Sequence, residues 1–144
     1  FGYNEMSARY VPLPDENYVP TVDRIVTGAR TAGKNKQAQG DASITEGDAL
    51  AWLAQLADVY EHAQRVYASG IAFGVPKELA RLPVPVARYS RMRATGNLRG
   101  WLGFLTLRMA PNAQFEIRQY ANAVGEFIEA SFPRTWELFA EGRS

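Results

Sequence analysis

The chain has 144 residues, 47% hydrophobic and 22% charged; that length fits one domain with a packed core, and the mixture excludes wholesale disorder. With no cysteine and one histidine, His62, disulfides, thiolate catalysis, cysteine metal sites and multi-histidine metal sites are excluded within it. The formal charge of +1 is small, yet from Leu79 to Phe115 there is no Asp or Glu, while Arg81, Arg88, Arg91, Arg93, Arg99 and Arg108 supply six positive charges.

Residues 1–20 carry Pro12, Pro14 and Pro20 among Tyr and Asn, a pattern of extended segments and turns. Residues 21–45 hold Gly28, Gly33, Gly40, Lys34 and Lys36 and read as one long polar loop. Ser43 with Glu46, or Thr45 with Asp48, offers a capping box. A long helix is expected next. Ala49, Trp52, Leu53, Leu56, Val59, Tyr60, Ala63, Val66 and Tyr67 recur at three and four as one apolar stripe, with Gly70 and Gly74 ending it. His62 falls off the centre of that stripe and reads as a surface or boundary residue. Pro76 fits the first position of a short helix through Arg81.

Val84 to Thr95 reads as extended, with Val84 and Val86 alternating and Pro83 and Pro85 marking an edge or irregular start. Asn97 is a good N-cap. The helix it opens buries Leu98, Trp101, Leu102, Leu105 and Met109, while Arg99, Gly103 and Thr106 share another face. Pro111 is expected to open a further helix, with Ala113, Ile117, Tyr120, Ala121, Val124, Phe127 and Ile128 on its apolar side. Pro133 starts a last short helix carrying Trp136 and Phe139. Trp52, Trp101, Trp136 and most Phe residues fall on apolar stripes and read as core. No apolar run approaches the roughly 18 residues of a membrane span. The fold class is α+β, helix-rich, with helices packed on a small, mostly antiparallel sheet.

The arginine segment leaves ten basic residues against fifteen acidic ones elsewhere, a net of −5. Arg presents a planar fork of donors suited to phosphates and carboxylates and keeps its charge. An anionic ligand explains such segregation; so does a solvated basic face or ion pairing across an interface. Three constellations bear on the choice. Asn4-Glu5-Met6-Ser7-Ala8-Arg9-Tyr10 gathers short polar groups and a guanidinium, which suit a phosphate and equally suit a turn. The helix start at Asn97 offers free N–H groups, a positive dipole end and the Arg99 charge. Gly96, Gly100 and Gly103 remove bulk there, for a ligand or for close packing. Arg81 and Arg108 each end a helical segment, where the last carbonyls also explain an arginine. There is no Walker loop, no GxGxxG and no metal-ligand spacing.

These segments resemble the flavin-dependent thymidylate synthase family. The resemblance rests on Asn4 to Tyr10 followed by Tyr18-Val-Pro20, and on Gly74-Val-Pro-Lys-Glu-Leu-Ala-Arg81 followed by a Pro-rich strand. It also rests on Thr95-Gly-Asn-Leu-Arg99, Phe104-Leu-Thr-Leu-Arg108 and Ala113 to Ala121. The three motifs come in the family's order over most of the chain.

The resemblance implies a subunit that uses FAD, NADPH and 5,10-methylenetetrahydrofolate to methylate C5 of dUMP, with no enzymic cysteine. It implies that Glu5, Met6, Ser7, Ala8, Arg9 and Arg81 contact the nucleotide. Arg108 is the catalytic match, stabilising the ionised uracil ring. Glu5, Asn97, Leu98, Arg99 and Gly103 are the cofactor-binding matches. It implies a cytoplasmic homotetramer with active sites between subunits, and no metal, nucleic acid or membrane.

The family's Arg-His-Arg triplet precedes the residues matched here. The chain, which opens on Phe1 with no start Met or signal peptide visible, is therefore expected to be a single domain making up the C-terminal two-thirds or so of a longer subunit.

The chain departs from the family pattern at several positions. Gly103 stands where a polar flavin contact is usual and Asn112 where His is common. Gly2 replaces a small hydroxyl residue, Met92 to Ala94 replace an aromatic-rich run, and the loop from Thr27 to Gly40 is long. These bear on the pocket walls and keep two alternatives open: a UMP C5-methylase of nucleoside-antibiotic biosynthesis, and a non-catalytic nucleotide-binding relative. A nucleic-acid module would need aromatics interleaved with the arginines, and only Tyr89 fits.

Overall fold

A computed structural model of the chain describes residues 1–31 and 44–142. The first helix, α1 (Val22–Thr31), replaces the front half of the expected polar loop. Thr21 Oγ1 accepts from the Arg24 N–H at 3.1 Å, and Asp23 lies at the positive end of the helix dipole. Ile25 and Val26 give the helix an apolar edge, and Val26 is buried. Residues 32–43 of that loop, including Ser43 of the first proposed capping box, lie outside the described residues.

The second capping box forms. Thr45 Oγ1 accepts from the Asp48 N–H at 3.1 Å, and Asp48 Oδ2 accepts from the Thr45 N–H at 3.3 Å. Helix α2 then runs over Glu46–Ala72. It passes through Gly70, expected with Gly74 as its end, and stops at Ala72; the chain leaves it through Gly74, whose φ of +80° suits a residue without a Cβ. Gly70 instead admits a neighbour: a Cβ built there lies 3.2 Å from the Ala80 Cβ. That approach seats α3 (Lys77–Ala80) on α2, with Pro76 at the N-cap rather than the first turn and Arg81 at the C-cap.

Residues 84–95 are less extended than the alternation implies. Pro85 accepts from the Arg88 N–H at 3.0 Å, closing a turn, because Pro83 and Pro85 have no N–H to give a ladder. Extended pairing begins at Arg88, which bridges Asn17. It becomes a strand at β2 (Met92–Thr95), antiparallel to β1 (Gly2–Glu5).

Two compact units divide the chain, Asn4–Met92 on one side and Phe1–Tyr3 with Arg93–Ser144 on the other. The second is built on α4 (Leu98–Arg108), α5 (Phe115–Ser131) and α6 (Pro133–Glu141). Asn97 caps α4 as expected, its Oδ1 accepting from the Gly100 N–H at 2.8 Å. Pro111 does not open α5. It sits in a turn closed by the Ala113 N–H to the Ala110 carbonyl, and Gln114, with ψ of 143°, holds the helix off until Phe115. Pro133 does start α6. The core is Leu105, Ala121 and Ile128, wrapped by Leu98, Trp101, Leu102, Met109, Val124, Trp136 and Phe139. Phe1 meets Trp101 edge-on with ring centroids 4.9 Å apart.

The fold is helix-rich with a small antiparallel sheet, as the sequence implies. Several core expectations fail. Trp52, Val59 and Val66 on α2 are 48%, 59% and 45% exposed, and Tyr120 and Phe127 on α5 are 63% and 74% exposed. Of the seven Phe residues, Phe104 and Phe139 pack against the core while the rest are exposed. Helices α2 and α5 have apolar faces wider than the neighbouring elements cover. Among the described residues no helix is long and apolar enough to cross a membrane.

Candidate active site

The Asn4–Met92 unit holds a cavity of about 500 Å³. One wall is Glu5 to Arg9. There the Ser7 carbonyl accepts from the N–H groups of Tyr10 and Val11 at 3.1 and 3.2 Å. The chain therefore turns sharply just after β1 and presents successive side chains to one space. Ser7 Oγ also accepts from the Arg9 N–H at 3.4 Å. Lys77 Nζ donates to the Tyr10 carbonyl at 2.9 Å, tying this turn to α3.

Arg81 enters from the end of α3. The next turn is fixed by the Val84 N–H donating to the Arg81 carbonyl at 3.0 Å. Val84, Pro85 and Val86 supply an apolar wall, and Leu13 a rim. The Glu5, Met6, Ser7, Ala8, Arg9 and Arg81 set expected for a nucleotide is thus brought together across more than 70 residues of sequence.

Arg9 and Arg81 are exposed, and neither has a carboxylate partner among the described residues. Arg9 lies over the Tyr10 ring, 5.7 Å from its centroid, a contact that restrains the guanidinium without using its donors. Two uncommitted guanidinium forks face one space with a hydroxyl and a carboxylate. Such a set suits a phosphate monoester carrying a polar ring: the forks take the dianion, and Glu5 accepts from an N–H or O–H.

Sequence reasoning missed part of the lining. Arg88 and Ser90 belong to the cavity wall. No periodic pattern marks them, because a turn closed by the Arg88 N–H to the Pro85 carbonyl interrupts the alternation of Val84 and Val86.

The remaining expected residues lie on α4, in the other unit. Asn97, Leu98 and Arg99 form its first turn. The Asn97 carbonyl takes the Trp101 N–H at 3.1 Å, and its Oδ1 is spent on Gly100, which leaves the side-chain amide N–H groups free to donate. The Leu98 and Arg99 N–H groups belong to the first turn, which has no intrahelical acceptors. Gly96 and Gly100 do not stand open to a ligand: a Cβ at each would lie 2.8 and 3.4 Å from the Phe1 ring. Gly103 differs, since a Cβ there meets nothing within 4 Å. Arg99 and Gly103, four residues apart, share an exposed face. These features fit the edge of a large anionic cofactor. Arg108, also exposed, is the last residue of α4, about 15 Å along the axis from Leu98.

The family model described as thymidylate synthase complementing protein matches residues 1–134. A flavin-dependent thymidylate synthase of Thermus thermophilus is 38% identical over 138 residues, covering 96% of this chain and 48% of that protein. The Dictyostelium discoideum enzyme of the same name is 32% identical, over 96% of this chain and 44% of its own. The chain therefore spans about half the length of these curated relatives. Among solved structures, a UMP/dUMP methylase, PolB, from Streptomyces cacaoi bound with 5-Br dUMP superposes with a TM-score of 0.80. It is 30% identical, over 97% of this chain and 61% of that one. The same methylase bound with 5-Br UMP also gives 0.80, at 29% identity.

Proposed function

Because this chain belongs to the thymidylate synthase complementing protein family, we propose that the full-length protein is a flavin-dependent methyltransferase acting at C5 of a uridine 5'-monophosphate nucleotide. The observation that carries this reading is the single cavity that gathers Glu5, Ser7, Arg9 and Arg81, with two guanidinium groups free for a phosphate. The carbon comes from 5,10-methylenetetrahydrofolate, and NADPH is the ultimate reductant. When bound, FAD supplies the hydride.

The chain's own residues divide the work. Arg9 and Arg81 neutralise the phosphate and set the nucleotide's register, and Ser7 adds a hydroxyl. Glu5 stands where a polar edge of nucleotide or cofactor is read. Asn97 and Arg99, with the first-turn N–H groups of α4, would hold the cofactor beside the open space at Gly103. Arg108 is assigned to the uracil ring, where a fixed cation stabilises negative charge that grows towards the transition state.

dUMP is the first substrate of this reading. UMP is the second, favoured by the likeness to a methylase whose solved complexes carry both dUMP and UMP analogues. In the functional assembly the proposed state is a homotetramer with active sites at subunit interfaces. Supporting it, α2 exposes Trp52, Val59 and Val66 at seven-residue intervals along one face, continued by Phe73 at its C-cap, apolar side chains available to a neighbouring subunit.

The test incubates the full-length protein with reduced flavin, methylenetetrahydrofolate and an equimolar mixture of dUMP and UMP. A 5-methylated nucleotide is expected, and the product ratio assigns the sugar. Flavin-loaded protein that methylates neither nucleotide would overturn the reading.

A further inference from the structure

The cavity has a third arginine, and its chemistry differs from that of the other two. The Arg88 side chain is only 2% exposed. Its Nη1 donates to the Pro14 carbonyl at 2.6 Å and pairs with Asp15 Oδ1 at 3.1 Å, while Nη2 donates to Gln64 Oε1 at 2.9 Å. One guanidinium therefore joins three segments: the cavity wall at 84–90, the loop at 13–15 that carries the Leu13 rim, and α2. The backbone reinforces the join. Tyr18 N–H donates to the Ala87 carbonyl and Tyr89 N–H to the Glu16 carbonyl, each at 2.9 Å, which makes Asn17 and Arg88 a closely spaced cross-strand pair. Tyr67 Oη accepts from the Leu13 N–H at 3.3 Å, and Tyr60 Oη donates to the Tyr18 carbonyl at 2.9 Å. Buried Arg88 Nε and Asn17 Oδ1 have no partner among the described residues, a spare donor and acceptor on the two halves of that pair.

A buried charge of this kind is poor value for stability alone, since its desolvation offsets most of the attraction. Its placement on the wall of a ligand cavity gives it another use. We propose that Arg88 is a positioning residue for the nucleotide: the Arg88–Asp15–Gln64 clamp holds the Leu13 rim and the Val84–Ser90 wall at the separation the ligand needs. Arg9 and Arg81 touch the ligand, and Arg88 acts through the wall it fixes. The inference rests on the nucleotide reading of the cavity.

The test uses the full-length flavin-loaded enzyme and varies Gln64, which lies on α2 away from the cavity lining. Gln64→Leu removes the acceptor of Nη2, and Gln64→Glu keeps one. Arg88→Lys keeps the charge and loses the fork. Gln64→Leu and Arg88→Lys are expected to raise the nucleotide KM about tenfold, the worth of roughly one hydrogen bond. In both, kcat, flavin content and the KM for methylenetetrahydrofolate should stay within twofold of wild type, and Gln64→Glu should restore the nucleotide KM. A wild-type nucleotide KM in Gln64→Leu and Arg88→Lys overturns the proposal. So does a parallel loss of kcat and flavin, which marks a merely structural residue. If the wild-type enzyme binds neither dUMP nor UMP by calorimetry, the nucleotide reading itself falls, and that result is distinct from the other two.

Discussion

Three arginines within one arginine-rich stretch behave differently because their surroundings differ. Arg81 is exposed at the end of α3, Arg88 is sealed among acceptors, and Arg108 is exposed at the end of α4. Charge alone does not separate them; hydrogen-bond commitment does. Arg9 and Arg81 have free forks, so their removal costs ligand binding and little stability. Arg9→Ala and Arg81→Ala in the full-length protein are each expected to weaken dUMP or UMP binding by roughly 1.5–3 kcal/mol, the worth of a charge-assisted bond. Calorimetry checks the affinity, and a thermal midpoint close to wild type checks the fold. Arg108 should show a different signature. Arg108→Lys keeps a cation but loses the planar fork. It should slow single-turnover flavin oxidation by roughly 10²–10³, while flavin absorbance persists because the proposed cofactor contacts are Asn97 and Arg99. Wild-type rates in both Arg108→Lys and Arg108→Ala would reduce Arg108 to a helix-terminal residue.

Among the elements, the starts of α1, α2 and α4 are held by side-chain caps, and that of α2 is expected to be sensitive to pH. The Thr45 hydroxyl, and then its backbone N–H, hold the Asp48 carboxyl below its ordinary pKa. A folded value below the unfolded one means the cap stabilises fully above the unfolded pKa, roughly 3.9. The contribution is lost as pH falls through the lower folded value. Amide exchange of the first turn of α2 should therefore quicken as pH drops below about 4, after correction for the intrinsic rate. Asp48→Asn should remove that added pH dependence, because Asn cannot titrate. An equal dependence in the Asn variant would place its origin elsewhere. Helix α4 has exposed groups along its length: first-turn donors after Asn97, open space at Gly103 in its middle, and Arg108 as its last residue. The rigid α-helical rise between them fixes their separation, which suits residues assigned to cofactor and substrate.

For the whole molecule, the informative feature is what stays uncovered. Helix α2 buries Ala49, Ala63 and Tyr67 and leaves Trp52, Val59 and Val66 exposed, with Phe73 exposed at its C-cap. One side of the helix thus packs within the chain, and a second apolar side does not. Exposed apolar side chains aligned on one helix face suit an interaction site. The full-length protein is expected to sediment as a tetramer, and Val59→Asp with Val66→Asp should dissociate it, because two carboxylates would be stranded in an apolar seam. Both residues are exposed in the isolated fold, so helical content should remain. A double variant that still sediments as wild type would remove α2 from the interface.

What the sequence by itself determined is mostly local. Thr45 with Asp48, Asn97 and Pro133 mark helix starts because each acts on backbone groups within four residues of itself. The residues that line the cavity were singled out locally, because Glu5 to Arg9 form one turn and Arg81 directly follows one short helix, but their nucleotide role was implied only by the family resemblance. Pro111 misled because proline permits a helix start without requiring one, and Gln114 takes the extended backbone that delays it. The stretch from Val22 looked like loop because its glycines and polar residues outweighed a short capped helix. Only the tertiary structure decided which apolar side of α2 faces inward, since periodicity identifies stripes and not the partner that covers them. It also decided that Arg88, one of six arginines in an acid-free stretch, is the buried one. That outcome depends on Pro14, Asp15 and Gln64, residues 24 to 74 positions away, meeting at one point, and no local pattern carries that information.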